Sequence, residues 1–229
     1  LDTAETRLQD LASAVEDAAR RVGELAGRLS RKRIDAAKKL TTQVTKELSA
    51  LRMERTRFAV EVLPLPGETS YGQMGHDAVE FVFSANPGEP LNPLAKVASG
   101  GELSRVMLAL KTILAESDRV PVLIFDEVDA GVGGAVAEVM GTRLRDLSRH
   151  HQVLCVTHLP QVGSQAHAHY LVEKQVRQQR TVTQVRLLTE REREEEVARM
   201  LAGVTVTNSA RAAAAEMIGS AKERRARSD

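Results

Sequence analysis

Apolar residues recur every seven positions along the first part of the chain. One series is Leu1, Leu8, Val15, Val22 and Leu29, and a second series between them is Ala4, Leu11, Ala18 and Leu25. Two such series separated by polar residues are the a/d pattern of a coiled coil, so we predict a coiled-coil helix over residues 1–53. The alternative is a long amphipathic helix that packs on its own domain. A lone coiled-coil helix cannot shield its apolar stripe, so we expect it to be one strand of an antiparallel hairpin.

From Phe58 onwards the hydrophobic period changes. Residues 58–62 and 78–83 read as strands joined by a loop rich in Pro and Gly, and residues 120–125 and 153–157 are apolar runs typical of buried strands. One helix is predicted to start near Glu102, and two more are predicted over residues 133–147 and 191–203. A hairpin is predicted over residues 169–188, and an Ala-rich helix is predicted at the end of the chain. Helices alternating with strands predict an α/β fold, with a second domain over residues 54–229.

Composition narrows the class of protein. With 42% hydrophobic and 28% charged residues among 229, a soluble globular protein is expected. The balance of 32 basic and 31 acidic residues, with 3% aromatic residues, gives no compositional case for a nucleic-acid binder. The sequence has no secretory signal and no apolar run of about 20 residues, and its single cysteine, Cys155, lies in an apolar run, so we expect a cytoplasmic protein that does not enter a membrane. Since the first residue is not Met, we also expect the chain to be part of a longer protein.

Two glycines precede a strongly amphipathic helical segment. Ser99, Gly100 and Gly101 stand at the start of the run SGGELSRVMLALK. Small residues at a helix start expose backbone N–H groups at the positive end of the helix dipole, which suits a phosphate. An ordinary N-terminal cap is the alternative interpretation.

Two carboxylates follow the first buried strand. In VLIFDEVDAGVGG, Asp126 and Glu127 come directly after the apolar run, and Asp129 follows in a turn rich in Gly. The carboxyl end of a strand is where α/β enzymes bind ligands. There one carboxylate can hold Mg²⁺ through water while the next activates an attacking water. A solvated strand end or a helix cap is the alternative.

A histidine follows the second buried strand. In VLCVTHLPQV, His158 stands where a neutral imidazole can donate to a terminal phosphate or position a water, although a lone histidine is more often structural. We interpret His150, His151, His167 and His169 as surface or packing residues, because no cysteine or carboxylate accompanies them at zinc-ligand spacing.

In this order the three motifs resemble the latter half of an ABC-type ATPase, where they are the signature motif, the Walker B strand and the switch histidine. The phosphate-binding loop GxxxxGK[ST] is absent, and a coiled coil precedes the signature. That order resembles SMC-like proteins, whose ATPase head is split in sequence by a long helical hairpin. Over residues 58–203 the sequence resembles those of bacterial SMC-like proteins of double-strand-break repair. The resemblance is carried by the blocks VEFVFSANPGEPLNPLAKVASGGELSRVMLALK, FDEVDAGVGG and VTHLPQVGSQAHAHYLVEK.

The resemblance implies the C-terminal half of a P-loop ATPase head that uses ATP and Mg²⁺. Ser99, Gly100, Gly101 and Glu102 would face the nucleotide held by a partner head, and Asp126 would hold Mg²⁺ through water. Glu127 would be the general base, His158 would sense the γ-phosphate, and Asp129 would couple the two subunits.

The implied partners are the N-terminal half of the same head, a second head and broken DNA, in the bacterial nucleoid. Without the N-terminal half the chain is expected to be inactive. Four basic runs, at residues 31–33, 38–39, 52–57 and 222–227, are candidate DNA contacts, although such runs are usually solvated helix faces. Two rival hypotheses are a transporter ATPase subunit, which requires a phosphate loop upstream without a coiled coil, and a scaffold that binds no nucleotide.

Overall fold

The structure, a computed structural model, describes residues 2–67, 71–96, 100–177 and 180–226. The first element is a single helix, α1, over Asp2–Ala50, where the coiled-coil helix is predicted. The chain forms two compact units, one of residues 1–46 with 54–97 and one of residues 47–53 with 98–229. The domain boundary predicted between residues 53 and 54 remains a prediction.

In the first unit, α1 changes character along its length. Its apolar stripe is exposed over the first turns, where Leu8 and Val15 are each 67% exposed, but Ala26, Ala37 and Val44 are buried. The strands β1 (Arg57–Pro64) and β2 (Asp77–Ser84) pair antiparallel from Arg57 opposite Ser84 to Pro64 opposite Asp77, and the short β3 (Asn92–Pro93) pairs with β2. The second half of α1 therefore packs on its own unit, whereas the first half keeps exposed the apolar stripe from which the coiled coil is predicted.

The second unit is built on two parallel strands. The helix α2 (Gly100–Leu114) is followed by β4 (Val122–Phe125), α3 (Gly134–Leu147) and β5 (Gln152–Cys155). Strands β4 and β5 pair in register from Val122 opposite Gln152 to Phe125 opposite Cys155. One face of this pair packs into a core whose buried members include Leu108, Leu123, Phe125, Met140, Leu144 and Leu147.

The other face of the β4–β5 pair is exposed. Ile124 is 70% exposed and Val156 is 63% exposed, and Val122 and Leu154 are exposed beside them. The prediction that residues 120–125 form a fully buried central strand is therefore wrong for this chain, in which burial alternates along β4. Apolar residues occupy both faces of the strand, but elements of this unit cover only one of them.

Apart from one short helix, the remaining elements follow the sequence predictions. After the short helix α4 (Pro160–Gly163), β6 (Tyr170–Arg177) and β7 (Arg180–Leu187) form the predicted antiparallel hairpin, and α5 (Glu190–Ala202) and α6 (Asn208–Ala226) complete the chain. Helices α5 and α6 share a small core of Val197, Ala198, Ala214 and Ile218. Among the described residues, no helix is both long enough and apolar enough to cross a membrane.

Candidate nucleotide site

Asp126 and Glu127, the two acidic residues predicted to belong to the site, lie at the carboxyl end of β4 in a strained turn. Asp126 and Glu127 are both exposed, and Asp126 Oδ1 accepts a hydrogen bond of 2.9 Å from the Glu127 backbone N–H. Glu127 has φ = 55°, a left-handed conformation that costs a non-glycine residue about 1–3 kcal/mol. The turn closes where the Ala130 N–H donates to the Glu127 carbonyl at 3.0 Å. This geometry diverts Glu127 from the line of the strand.

The Glu127 carboxylate lies against the start of α2. A Cβ added at Gly100 would collide with Glu127 Oε2, and one at Gly101 would lie 3.1 Å from both the Glu127 carbonyl oxygen and Ala130 Cβ. The two glycines therefore have a role within the chain, since they let the turn after β4 approach the first turn of α2. Glu102 also lies in that turn, whereas Ser99 lies outside the described residues.

Asp129 and His158, predicted as members of one site, are in contact. Asp129 is only 4% exposed, and its Oδ2 accepts hydrogen bonds from the Thr157 hydroxyl at 2.5 Å and the His158 backbone N–H at 3.0 Å. The same oxygen lies 3.2 Å from Nδ1 of His158, whose side chain is 72% exposed. The inter-subunit role of Asp129 remains a prediction, because these contacts lie within one chain.

Three residues to which the sequence analysis gave no role complete the site. Ser104 Oγ donates to the Asp126 carbonyl at 2.8 Å, and Arg105 Nη1 donates to the carbonyls of Ala130 at 2.9 Å and Val128 at 3.4 Å. Burial lowers the pKa of the Arg105 guanidinium, and the charge of Glu102 opposes this shift. The third residue is Thr157, which donates to Asp129. In the sequence, these residues could have been found as the polar pair Ser104–Arg105 directly after the SGGEL motif and as the hydroxyl residue directly before His158.

The other titratable groups near the sheet behave as packing residues. His151 is buried, with Nδ1 2.6 Å from the Val120 carbonyl oxygen, and the pKa of His169 is lowered by burial and by the nearby Arg193. Burial, reinforced by the charges of Asp129 and Asp126, raises the pKa of the Cys155 thiol to about 12. In the part of the chain that the structure describes, no three His, Cys, Asp or Glu side chains cluster as a metal-binding group.

Comparison with solved structures defines the class of fold. An Smc head domain with a coiled coil and joint from Pyrococcus yayanosii superposes with a TM-score of 0.56 at 15% identity, covering 84% of this chain and 35% of that one. No protein-family model matches the sequence. The chain thus has the α/β fold of part of an SMC-type head with its coiled-coil helix.

Comparison of sequences adds the particular relatives. The chain is 41% identical to the DNA repair protein RecN of Xylella fastidiosa (strain 9a5c), over 94% of this chain and 39% of that protein. It is 46% identical to RecN of Halalkalibacterium halodurans, over 80% of this chain and 32% of that protein. It is 42% identical to RecN of Vibrio cholerae, over 95% of this chain and 39% of that protein. The chain is a homologue of RecN over most of its own length, and it spans about a third to two fifths of the length of these relatives.

Proposed function

We propose that this chain is the C-terminal half of an ATP-hydrolysing head in a RecN-like DNA repair protein. One observation carries the proposal. The carboxyl edge of β4 and β5 brings the acids Asp126 and Glu127, the Asp129–His158 pair and the start of α2 into one exposed, hydrogen-bonded site. These are the groups that phosphoryl transfer requires for positioning and for charge stabilisation.

Asp126 and Glu127 have different roles in the proposed reaction. Asp126 is an exposed hard oxygen ligand, which fits Mg²⁺ held with the help of phosphates and water, and such an ion neutralises charge on phosphate oxygens when bound. Glu127 is exposed at the tip of the turn, so its carboxylate can accept the proton of an attacking water.

The Asp129 contact defines what His158 can do. Because Nδ1 of His158 faces the buried Asp129 carboxylate at 3.2 Å, this contact favours the tautomer with its hydrogen on Nδ1, and in such a neutral imidazole Nε2 is an acceptor. A neutral His158 therefore orients water, whereas it contacts a γ-phosphate as a donor only as the imidazolium. This qualifies the hypothesis from the sequence that a neutral His158 donates to the phosphate.

The exposed apolar surfaces support the proposal that another half completes the head. Parallel sheets are normally covered on both faces, yet Ile124, Leu154 and Val156 are exposed on the β4–β5 pair. The stripe of α1 that includes Leu8 and Val15 is exposed in the same way. A second lobe carrying the phosphate loop would cover the sheet, and a complementary helix would cover the stripe.

Action on DNA rests on the relatives, which are named DNA repair proteins. The basic runs contribute little support, because some of their members are engaged within the chain. Arg33 pairs with Asp77 at 3.2 Å, Lys222 pairs with Glu190, and Arg224 pairs with Glu138 at 3.2 Å. Head dimerisation around two nucleotides and location in the nucleoid belong to the same proposal.

The test is Glu127→Gln in the full-length protein, with Glu116→Gln as the matched control. Glu116 is exposed and lies beyond the end of α2, about 20 Å along the helix from Gly100. We expect the Glu127 variant to bind ATP and dimerise normally while turnover falls about 100-fold or more, the scale of general-base catalysis. The control is expected to hydrolyse ATP like the wild type.

The 229-residue chain alone is expected to show no ATPase activity, because it has no phosphate loop. Unchanged turnover in the Glu127→Gln protein, or robust hydrolysis by the chain alone, would contradict the proposal.

A further inference from the structure

The turn over residues 126–130 is held from two sides. On the α2 side, Ser104 donates to the Asp126 carbonyl and Arg105 donates to the carbonyls of Val128 and Ala130. On the β5 side, the Asp129 carboxylate accepts from the Thr157 hydroxyl and from His158. We call this set of hydrogen bonds the turn clamp.

We infer that Arg105 and Thr157 are positioning residues for ATP hydrolysis, acting through the turn clamp to fix Glu127 and His158 relative to the start of α2. The inference rests on the proposed function and extends it to two residues that contact the turn and its neighbours in the chain. It also assigns a role to Asp129 within its own chain.

Backbone strain explains why a clamp is needed. Glu127 has φ = 55°, which an isolated chain would leave for an extended or right-handed conformation. A carboxylate on an exposed turn that relaxed in this way would lose its place beside Gly100. The hydrogen bonds made by α2 and β5 hold the turn in the strained form.

The chemistry of each side chain suits the task. Arg105 binds two carbonyls of the turn through one guanidinium nitrogen, Nη1, and a lysine ammonium, whose stem is one bond shorter and more flexible, does not reach them in the same way. The Thr157 hydroxyl donates to Asp129 at 2.5 Å and accepts from the Leu159 N–H at 3.0 Å. Valine at position 157 would keep the shape of threonine but remove both hydrogen bonds.

The experiment compares Thr157→Val, Thr157→Ser and Arg105→Lys in the full-length protein. The matched control is Thr112→Val, which removes a hydroxyl that bonds only the preceding turn of α2, at 2.8 Å to the Leu108 carbonyl. We measure kcat, the KM for ATP, ATP-dependent head dimerisation and the melting temperature.

We expect kcat to fall about 10- to 100-fold in Thr157→Val and in Arg105→Lys, since a displacement of about 1 Å in a catalytic group costs that much. The KM and dimerisation should change less than about threefold, because the ground-state contacts remain. Thr157→Ser should restore most of the loss. Combining Thr157→Val with Arg105→Lys should cost less than the product of the single losses, since both act on one turn.

The inference would be overturned if Thr157→Val had the same kcat as Thr112→Val. It would also be overturned if the fall in kcat merely matched the fraction of unfolded protein, or if the fall in the double variant equalled the product of the two single falls. In each of these cases wild-type hydrolysis remains and still depends on Glu127, so the proposed function stands. Absence of Glu127-dependent hydrolysis in the wild type would remove the proposed function and the inference together.

Discussion

Replacing the two adjacent glycines of α2 separately by alanine should give different results for stability. A Cβ at Gly100 meets the end of the Glu127 side chain, which can rotate away. A Cβ at Gly101 meets the Glu127 carbonyl oxygen and Ala130 Cβ, both at 3.1 Å, and these atoms cannot move without shifting the turn. We therefore expect Gly101→Ala to destabilise the head and Gly100→Ala to leave its stability unchanged or slightly raised.

The magnitude follows from two opposing effects. Alanine is favoured over glycine in a helix interior by up to about 1 kcal/mol, and the smaller gain expected in the first turn of α2 is similar at both positions. At Gly101 the forced contacts add an overpacking cost of about 1–3 kcal/mol. Because the helical gain cancels in the comparison, the two variants should differ by about 1–3 kcal/mol, equivalent to roughly 2–4 °C in melting temperature per kcal/mol for a domain of this size.

Calorimetry of the full-length variants, following the head transition, measures this difference. A second pair, Glu127→Ala with and without Gly100→Ala, isolates the side chain that the new Cβ displaces. The two members of that pair should melt alike or with the double variant slightly higher. If Gly100→Ala destabilises the head as much as Gly101→Ala does, the proposed packing of the turn on α2 is wrong.

Two further predictions concern single groups. Because the pKa of Cys155 is raised to about 12, its thiolate is scarce at pH 8. Alkylation of this residue, measured by mass spectrometry of its peptide, should therefore be slow in the folded protein and fast after unfolding. Fast alkylation of the native protein would contradict the burial. Thr189 caps α5 in a capping box with Glu192, so Thr189→Ala should cost about 1 kcal/mol. Hydrogen bonds from Thr189, and then from Arg186, lower the pKa of Glu192 to about 2, so the stability that this carboxylate contributes is present above about pH 4.5 and is lost as the pH falls towards 2. The melting temperatures of wild type and Glu192→Gln should therefore converge in that range, and a gap that stays unchanged down to pH 2 would refute the coupling.

Local pattern was sufficient for most elements of this chain. Heptads predicted α1, alternation predicted β1 and β2, and the apolar runs before Asp126 and His158 predicted the strands β4 and β5, whose parallel pairing is seen in the structure. The motifs also marked Glu127 and Asp129 as functional candidates, because α/β enzymes bind ligands at the carboxyl ends of their strands. These features depend on residues that are close in sequence, so the chain itself encodes them.

Contacts between distant segments were decided only by the tertiary structure. No spacing along the chain shows that Arg105 reaches the carbonyls near Ala130, or that Asp129 turns inward to Thr157 rather than outward. The left-handed conformation of Glu127 is likewise invisible in its sequence context, since that conformation is stabilised by hydrogen bonds from α2 and β5. The sequence alone determined which residues can do the chemistry, and folding determined which of them meet, because hydrogen bonds across 20 to 30 residues exist only once the strands and α2 have packed.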